Sequence, residues 1–513
     1  MNQYCQLSNP LCEMLDKPRE DFQRKDLLKV IAEKNIERIT FHYTALDGKL
    51  KELGIPIHSM KHAENVLANW ERVDGSSLFK GMIDDSCSDI YVVPVYKTAF
   101  LNPFDSGSID FICRYLNKDG ERVPFALDNI LHNANAMFKK HTGFDFNTLG
   151  ELEFYLMGEP NQNQIYLPEK QCAYHASGPF KKSNNILNEM VRYITQMTGA
   201  VKYTHSEVGI IENVTSEYSE INGRRAEQLE IEFLPRPVEE MADDLVLSRW
   251  IIRNVAYKYG QVATFTPKLE EGMAGSGYHI HMEAQKDGKN VMAHHGVLTD
   301  DAKKIIGGLC HYADSLTAFG NTVASSYLRL VPNQEAPTHI CWGDTNRSAM
   351  IRVPLGWSKV PNIAQIFNPQ QIEQSEELEE RQTVEIRTPD GSANTHLLLA
   401  AITMAADWGL THGQEALEIC NKCYVQGNVF HNPERLAQLS SLPASCVDSA
   451  KALLAKRDYY EHDNIFPTSV IDYMVKLLNR ENDTHLNEYL RSLPSADRLK
   501  EARYIMHKDL HRH

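Results

Sequence analysis

G150-E-L-E-F-Y-L156 is the stretch of this sequence that decides the fold. Every second residue is apolar, and this alternation predicts a β-strand with one buried face. Glu151 and Glu153 lie together on the opposite face, about 7 Å apart. The function depends on whether that face meets water or a site that needs two negative charges.

Three later segments repeat this pattern of an apolar back and an ionisable front. They are L229-E-I-E-F233, Y278-H-I-H-M282 and V384-E-I-R387. A single alternating strand is more typical of a solvent-facing edge. Four such strands in one chain, connected by long helices, favour a shared cavity on which the polar faces converge. The side chains that would meet there are Glu151, Glu153, Glu230, Glu232, His279, His281, Glu385 and Arg387.

A cavity lined by so many carboxylates needs cations, because each unpaired buried carboxylate costs on the order of several kcal/mol. Carboxylate oxygens with one or two imidazoles suit Mg²⁺ or Mn²⁺ better than they suit structural zinc. Two such ions side by side are commonly used to transfer phosphoryl groups. The sequence therefore predicts two or more divalent ions in a phosphoryl-transfer site.

Four arginines are candidates for binding the anionic groups of substrates: Arg329, Arg347, Arg352 and Arg387. Each guanidinium can bind carboxylate or phosphate oxygens through two parallel hydrogen bonds. Four separate surface arginines are the alternative interpretation. The acidic strands favour the binding site, as do Pro332, Pro337 and Pro354, which stiffen the arginine loops.

The composition is that of a globular protein. The chain has 513 residues, of which 42% are hydrophobic, and this length is enough for about two to four domains. It has no apolar run long enough to span a bilayer and no secretory signal at its start, so we expect a cytoplasmic protein without a membrane partner. The formal net charge of -15 argues against a nucleic-acid partner and favours small-molecule chemistry.

The ten cysteines are scattered without a dense framework, which is typical of reduced thiols. Cys420 and Cys423 form a single C-x-x-C motif. Because no second pair lies beside them, ordinary helix-surface or core thiols are favoured over zinc binding or redox chemistry.

Local patterns divide the chain into a small mixed α/β domain, residues 20–117, and a large α+β domain, residues 118–513. The small domain contains a predicted helix at 18–34. It also contains a predicted hairpin whose strands join at Asp47 and Gly48, a strong turn signal.

The large domain alternates long amphipathic helices with charged strands. Helices are predicted near 185–198, 239–259 and 301–318, the last with Asp300 as its N-cap. From about residue 394 the pattern is almost wholly helical. The strands are amphipathic, which favours an antiparallel sheet, and a P-loop sequence is absent.

Seven polar motifs occur in order along the chain. They are DGSS at 74–77, ELEFY at 151–155, QLEI at 228–231, GSGYHIH at 275–281, RLVPNQEAP at 329–337, NRSAMIRVP at 346–354 and EIRTPDGSAN at 385–394. This ordered series resembles that of the class I glutamine synthetase family, from about residue 25 to the C-terminus. The combination is much more specific than any one motif.

The resemblance implies a fold and a reaction. The fold would be a small N-terminal β-grasp-like domain followed by a catalytic domain with an antiparallel curved sheet and surrounding helices. The reaction would be the ATP-dependent ligation of ammonia to the γ-carboxylate of glutamate. It would pass through γ-glutamyl phosphate and give glutamine, ADP and phosphate.

The same resemblance implies the residue roles. The metal ligands would be Glu153, Glu207 and Glu230 for one ion, and Glu151, His279 and Glu385 for the other. The amino-acid substrate would contact Arg329, Arg387 and Gly275. Arg347 and Arg352 would stabilise the phosphates, and His281 would face the nucleotide. Glu335 would lie on a flap that shields the acyl phosphate from water.

The ammonium site would be shared between subunits. Asp74 of a neighbouring subunit would help to bind and deprotonate ammonium, which implies a ring-shaped homo-oligomer. Tyr174 corresponds to the ammonium-site tyrosine of the family, counted back from Glu207.

Three features depart from the family pattern. Ala274 replaces the asparagine that helps to hold the α-amino and carboxylate end of glutamate. Extra residues occur at about 210–226 and 355–383, and the second insertion replaces a basic stretch that contacts the nucleotide. These departures leave open which acid and which amine are the substrates.

Three hypotheses follow for the function. The first is a glutamate:ammonia ligase. The second is a γ-glutamyl ligase that uses another amine or a glutamate-like acid, which Ala274 and the insertions motivate. The third is a non-catalytic assembly or sensing protein on the same scaffold, which predicts lost metal ligands; none is lost.

Overall fold

Two β-sheets organise the chain, and each has its own set of helices. The structure, a computed structural model, describes residues 4–83, 86, 88–160, 165–331, 336–356, 363–372 and 381–512. It contains no helix that is long and apolar enough to cross a membrane within these ranges.

The first sheet has six strands in the order β2-β1-β6-β4-β3, with β5 paired to β6. Its strands are β1 Arg38–Thr44, β2 Leu50–Pro56, β3 Glu71–Asp74, β4 Asp89–Pro94, β5 Phe100–Leu101 and β6 Ser108–Leu116. The predicted hairpin is confirmed, because β1 and β2 pair in antiparallel register. Gly48 has a φ of 77°, a conformation that glycine adopts without strain. β1 and β6 are parallel.

The helices of this part are short. They are α1 Pro10–Leu15, α2 Arg24–Glu33, α3 Met60–Ala68 and α4 Gly75–Leu78. The predicted helix at 18–34 begins later than expected, after a 3₁₀ turn at Arg19–Asp21. The reason is a capping box, in which Asp26 accepts a hydrogen bond from the Gln23 backbone and fixes the first turn at Arg24.

The second sheet carries the candidate site. Its central path is β16-β17-β18-β12-β7-β9-β8, with β10 and β11 paired to β7 and β13 paired to β12. Its strands are β7 Asp145–Gly158, β8 Val201–Ile211, β9 Arg225–Phe233, β10 Arg236–Pro237, β11 Val262–Thr264, β12 Tyr278–Lys286, β13 Lys289–Asn290, β16 Trp342–Asp344, β17 Ile351–Val353 and β18 Val384–Ile386. A separate small hairpin is formed by β14 Ala293–His294 and β15 Val297–Leu298. The central path is antiparallel except for β16 and β17, which are parallel.

The first five helices of this part are α5 Leu127–Thr142, α6 Asn184–Thr198, α7 Val238–Lys258, α8 Asp300–Gly320 and α9 Ser326–Arg329. α5 and α7 pack against β7, and α6 packs against β8. The three predicted helices are confirmed as α6, α7 and α8. Asp300 is not the N-cap of α8, because Thr299 is extended and its hydroxyl accepts a hydrogen bond from the Ala302 backbone. Asp300 is instead the first helical residue.

The C-terminal part is helical, as predicted. Its helices are α10 Thr395–Thr411, α11 Gly413–Cys423, α12 Pro433–Leu436, α13 Cys446–Ala455, α14 Arg457–Glu461, α15 Thr468–Asn479, α16 Leu486–Ser492 and α17 Ser495–His507. α10 is buried over nearly its whole surface and packs against α5 and α8. The predicted fold class, a small β-grasp-like sheet followed by a large sheet with many helices, is confirmed.

Candidate functional site

A polar cavity of about 430 Å³ opens on the large sheet. The predicted residues that line it are Glu151, Glu153, Tyr174, Glu207, Glu230, Gly275, His279, Arg329, Arg347, Arg352, Glu385 and Arg387. The polar faces of the four alternating strands therefore meet in one place. The first strand, β7, faces this cavity rather than open water.

Strand register brings the ionisable groups together. Glu151 lies opposite His279 on β12 and opposite Glu232 on β9. Glu153 lies opposite Glu230. Directly opposed side chains are in contact range across a sheet, and like charges there destabilise it. The other face of these strands is apolar and buried.

Glu207 lies at an irregularity in β8. The pairing of β8 with β9 shifts register between Ser206 and Ile210, as in a β-bulge. The Glu207 carboxylate is buried and lies 3.5 Å from Nδ1 of His205. Because His205 and Glu207 are two residues apart on β8, strand alternation predicts that both side chains lie on the same face.

One group of potential metal ligands lies where β7, β12 and β18 meet. Ligand atoms of Glu151, His281 and Glu385 lie within 4.8 Å of one another. His279 joins them, with Nδ1 2.7 Å from Glu151 and 3.4 Å from Glu385. The family resemblance predicts that His281 faces the nucleotide, and the structure places its Nε2 2.8 Å from Glu151.

A second group lies between β8 and β9. Ligand atoms of His205, Glu207 and Glu230 lie within 4.8 Å of one another, and Nε2 of His205 is 3.2 Å from Glu230. The sequence analysis missed His205. Its signal was present, since His205 stands two residues before Glu207 on the same strand.

Glu153 lies between the two groups. Its carboxylate accepts hydrogen bonds from the Gly277 backbone at 2.8 Å and from the Gln228 side chain at 3.1 Å. Its other oxygen is 3.9 Å from Nε2 of His279. These bonds fix the carboxylate while leaving it beside both groups.

The electrostatics of the cavity call for cations. Burial and the neighbouring Glu151 and Glu153 carboxylates raise the pKa of Glu230 well above its usual range. Burial also acts on Glu151, but the nearby His281 and His279 hold its pKa well below its usual range. Burial lowers the pKa of His205, which favours the neutral imidazole that binds metals. Carboxylate oxygens with a few imidazoles fit a divalent cation in each group.

Arginines line the cavity beside the Glu385 carboxylate. Arg352 lies 2.8 Å from one oxygen of Glu385, and Arg387 lies 3.4 Å from the other. Arg329 is buried and donates to the backbone oxygens of Thr388 and Arg387. Carboxylates and guanidiniums therefore line the cavity side by side, so that cations and anions can bind next to each other.

Two glycines bring the backbone close to these groups. A Cβ atom on Gly277 would lie 2.5 Å from Nε2 of His279 and 2.9 Å from Glu153. A Cβ atom on Gly275 would lie 2.5 Å from the backbone oxygen of Pro267. Ala274 also lines the cavity and presents only a methyl group where the family pattern has an amide.

Aromatic rings border the second ligand group. Tyr174 is 49% exposed and its ring contacts His205 at a centroid distance of 5.4 Å. Tyr203 also lines the cavity. Burial, with the Glu207 carboxylate nearby, raises the pKa of Tyr174, so that its hydroxyl keeps its proton.

Asp74 is not among the described residues that line the cavity of its own chain. It is exposed, and its side chain accepts hydrogen bonds from the Ser76 backbone and hydroxyl at 2.9 and 2.7 Å. Hydrogen bonds from Ser77 and Ser76 lower its pKa. Glu335 lies outside the described residues, as do residues 357–362 and 373–380 of the 355–383 insertion.

The other insertion, at 210–226, is described in full. It connects β8 to β9 and packs Val214 and Ile221 against Met157 and Leu269 in a second apolar cluster. This insertion therefore extends the protein on the side of the cavity next to β8.

Family models match most of the chain. The model described as glutamine synthetase, catalytic domain, matches residues 129–491. The model described as glutamine synthetase, beta-Grasp domain, matches residues 35–118.

Curated relatives are similar over most of their length. The chain is 27% identical to the glutamine synthetase of Frankia alni over 481 residues, which covers 87% of this chain and 93% of that protein. It is 31% identical to the glutamine synthetase of Pyrococcus horikoshii over 407 residues, which covers 78% of this chain and 80% of that protein.

Solved structures share the fold. A cryo-EM structure of Plasmodium falciparum glutamine synthetase matches with a TM-score of 0.70 at 20% identity, covering 93% of this chain and 98% of that chain. A structure of GmaS without ligand matches with a TM-score of 0.69 at 21% identity, covering 92% of this chain and 98% of that chain. At these identities the likeness concerns the fold alone.

Proposed function

This chain belongs to the glutamine synthetase family of ligases, and from that premise we propose that it is an ATP-dependent glutamate:ammonia ligase. The reaction would transfer the terminal phosphate of ATP to the γ-carboxylate of glutamate. Ammonia would then displace the phosphate and give glutamine.

The observation that carries this proposal is the convergence of two acidic ligand groups and a set of arginines in one cavity. A protein that had lost catalysis would gain nothing from holding so many like charges together, because their repulsion destabilises the fold. The third hypothesis, a non-catalytic sensing protein, predicts missing ligands. In the described part of the chain, all six predicted metal ligands are retained at the cavity.

The metal ligands would divide into two sets. Glu151, His279 and Glu385 would hold one ion, and Glu153, Glu207 and Glu230 would hold the other. We add His205 to the second set and His281 to the first, since both lie within ligand distance of those carboxylates. When bound, Mg²⁺ or Mn²⁺ would neutralise the phosphate oxygens during phosphoryl transfer.

The arginines would place the two anionic substrates. Arg329 and Arg387 would bind the carboxylates of the amino acid beside the Gly275 backbone. Arg347 and Arg352 would bind ATP phosphates and the charge that develops on the transferred group. Their rigid planar geometry suits carboxylate and phosphate oxygens.

The amine would enter beside Tyr174 and Glu207. A carboxylate beside an aromatic hydroxyl can bind an ammonium ion, and Asp74 from a neighbouring subunit would accept its proton. This assignment requires a homo-oligomer, because Asp74 lies away from the cavity of its own chain. The role of Glu335 as part of a water-excluding flap stays a prediction.

Ala274 supports a second candidate, a γ-glutamyl ligase for another amine or a glutamate-like acid. The position lines the cavity, and its methyl group supplies no hydrogen bond to the α-amino and carboxylate end of glutamate. A pocket that lacks one polar partner discriminates less strongly between related substrates.

The test is ADP release by the purified protein with ATP, Mg²⁺ or Mn²⁺, and defined substrate pairs. We expect turnover with glutamate and ammonium, with product identified as glutamine by mass spectrometry. A panel of methylamine, ethanolamine and polyamines, and of acids close to glutamate, tests the second candidate. Turnover with another pair but none with glutamate and ammonium would replace the first proposal by the second.

A matched pair of variants tests the metal assignment. Glu153→Ala should abolish turnover while the protein stays folded. Glu283→Gln is the control, because Glu283 is a buried carboxylate on the same sheet that bonds Asn147, Gln285 and Asn290 outside the cavity. Full activity in Glu153→Ala would refute the assignment.

A further inference from the structure

Gln228 is a buried glutamine on β9 that lines the cavity. Its side-chain nitrogen donates two hydrogen bonds, one to Oε2 of Glu153 at 3.1 Å and one to the backbone oxygen of Gly275 at 3.0 Å. Its side-chain oxygen accepts a hydrogen bond from the backbone nitrogen of Gly209 at 3.1 Å. One amide group therefore connects β7, β8 and the segment before β12.

The neighbours of this amide fix its orientation. The backbone N–H of Gly209 can only donate a hydrogen bond, and the backbone oxygen of Gly275 can only accept one. If the amide of Gln228 were flipped, donors would face donors and acceptors would face acceptors. The two N–H bonds of Gln228 are therefore directed at Glu153 and Gly275.

The bond from Gln228 distinguishes the two carboxylate oxygens of Glu153. Oε2 accepts hydrogen bonds from Gln228 and, at 2.8 Å, from the backbone nitrogen of Gly277. Oε1 lies on the side of His279, 3.9 Å from its Nε2. The hydrogen bonds on Oε2 therefore hold Glu153 in the orientation that leaves Oε1 for a cation.

Three successive carbonyl groups before β12 are each held by a side chain from another part of the chain. The donors are Lys268 for Met273, the Tyr155 hydroxyl for Ala274 at 2.8 Å, and Gln228 for Gly275. A buried carbonyl that keeps its hydrogen bond is costly to move. This segment is therefore fixed against the sheet that carries the metal ligands.

Gly209 makes room for two of these donors. Tyr155 and Gln228 lie directly opposite each other on β7 and β9. A Cβ atom on Gly209 would lie 2.2 Å from the Tyr155 hydroxyl oxygen and 2.5 Å from the Gln228 side-chain oxygen. The absence of a side chain at Gly209 therefore allows both donors to reach the segment before β12.

The Gly275 carbonyl is in a position to contact the amino-acid substrate. It lines the cavity, and a Cβ atom on Gly275 would lie 2.9 Å from Cγ of Arg329. A carbonyl oxygen can accept two hydrogen bonds, so the bond from Gln228 leaves one for the α-ammonium group of an amino acid. Ala274 contributes no polar side chain, which makes the binding of that group depend more strongly on Gly275.

We propose that Gln228 is a positioning residue that couples the metal ligand Glu153 to the Gly275 carbonyl, so that divalent metal and amino acid each strengthen the binding of the other. This role rests on the proposed function and adds a coupling between its two sites. When Glu153 is held by a cation, its Oε2 fixes the amide of Gln228, and the amide fixes the Gly275 carbonyl. Coupling between two binding sites is reciprocal, so the amino acid must tighten metal binding by the same factor.

The test measures Mn²⁺ binding to the full-length protein by titration calorimetry, with and without saturating glutamate. ATP is left out, so that no turnover occurs. In the wild type we expect glutamate to tighten Mn²⁺ binding about fivefold or more. Gln228→Leu removes both N–H donors without adding charge. It should weaken Mn²⁺ binding about tenfold and abolish the effect of glutamate.

Two further variants keep the test informative if Gln228→Leu does not fold. Gln228→Glu keeps the volume and the acceptor for Gly209 but lacks both donors. Its added charge acts on the Mn²⁺ affinity itself, so its readout is the ratio of affinities with and without glutamate, which should fall to about one. Tyr155→Phe removes only the hydrogen bond to Ala274. It should keep the wild-type Mn²⁺ affinity in the absence of glutamate and raise the KM for glutamate in the active enzyme.

Gln285→Leu is the matched control. The Gln285 amide also donates to a carboxylate of the same sheet, Glu283, at 2.6 Å, and neither residue is among the described residues that line the cavity. This variant should bind Mn²⁺ and respond to glutamate as the wild type does. Melting temperatures well above the temperature of the titration establish that each variant is folded.

The proposal is overturned if Gln228→Leu binds Mn²⁺ as tightly as the wild type, or if glutamate tightens Mn²⁺ binding equally in Gln228→Glu and the wild type. Equal losses in Gln285→Leu or Tyr155→Phe would also overturn it, because they would show a general effect on the sheet or the segment. A wild type that binds no Mn²⁺ would overturn both this role and the metal assignment. The expected Mn²⁺ results without ADP release from any substrate pair would support the role of Gln228 and overturn the proposed ligase activity.

Discussion

His205 illustrates how one side chain changes the chemistry of an acidic site. It lies 3.2 Å from Glu230 and 3.5 Å from Glu207. An imidazole adds a nitrogen ligand without adding to the repulsion between the carboxylates, and it shifts the preference of the site toward Mn²⁺ over Mg²⁺.

We predict that His205→Ala weakens Mn²⁺ binding by about tenfold or more, the range seen when a metal site loses a supporting group. Titration calorimetry of the full chain measures this directly. His175→Ala is the matched control. The centroid of its ring lies 4.3 Å from that of His205, but His175 belongs to neither ligand group. Equal losses in both variants would show that His205 acts only through packing.

Lys268 is a buried lysine behind the glycine-rich segment of the cavity. Its ammonium group donates to the backbone oxygen of Met273, and burial, with the charge of Arg329 nearby, lowers its pKa to about 8. Between that value and the ordinary 10.5, the unfolded chain holds a proton that the folded chain has lost. Folding stability therefore rises with pH in this window.

We predict that raising the pH from about 7.5 to 9.5 stabilises the wild type relative to Lys268→Met, with an upper limit of about 3 kcal/mol for a shift of this size. Melting temperatures of both proteins across this range give the comparison. Lys289→Met, at an exposed position, should follow the wild type. Parallel pH profiles for the wild type and Lys268→Met would contradict the prediction.

At the scale of elements, alternation in single strands correctly predicted the faces of β7, β9, β12 and β18. Their faces follow from a period of two, which local sequence encodes. The bulge in β8 and the parallel pairing of β16 with β17 depend on partners distant in sequence. The connection before β12 also passes close to the cavity. Gly275 and Gly277 allow this close approach because they have no Cβ atom.

Gly277→Ala tests that connection. The new Cβ would fall 2.5 Å from Nε2 of His279 and 3.0 Å from Nη2 of Arg329. Both atoms are ends of side chains, so we expect these side chains to move while the backbone keeps its fold. Turnover should fall by about a hundredfold, as for small misplacements of catalytic groups, with a melting temperature within a few degrees of wild type.

Gly54→Ala is the control for the loss of a strand glycine. Its Cβ would come no closer than 3.9 Å to Arg38, and it lies in the small sheet. Wild-type turnover in Gly277→Ala would mean that the position of His279 does not depend on the absence of a side chain at Gly277.

At the scale of the whole molecule, the cavity of one chain is incomplete for the proposed reaction. Asp74 is exposed at the start of α4, away from the cavity lining of its own chain. In a closed ring, a residue on one edge of a subunit can complete the site of the next.

We predict that Asp74→Ala and Glu153→Ala complement each other. Each variant alone should be inactive with ammonium, whereas co-assembled subunits should recover about a quarter of the wild-type sites, since chance pairing unites the two intact halves. Differently tagged subunits, co-expressed and purified through both tags, supply the mixed oligomer. Light scattering after size exclusion gives its mass. No recovery of activity in a verified mixed oligomer would mean that Asp74 and the cavity residues must come from the same subunit. That result would contradict a site shared between subunits.

The sequence by itself determined the acidic strands, the main helices and the family. Short-range periodicity fixes which side chains share a face, and the ordered motifs identify a family whose members keep the same chemistry at the same positions. Capping was less predictable, as Asp300 and Gln23 show, because neighbouring polar residues compete for the same backbone donors.

Only the tertiary structure decided which faces meet. Glu151 and Glu385 are far apart along the chain, and the pairing of β7, β12 and β18 brings them together. The inclusion of His205 and the position of His281 beside Glu151 likewise depend on packing between distant elements. Local sequence specifies the direction of a side chain, but long-range pairing specifies its neighbours, and the chemistry of a site depends on the neighbours.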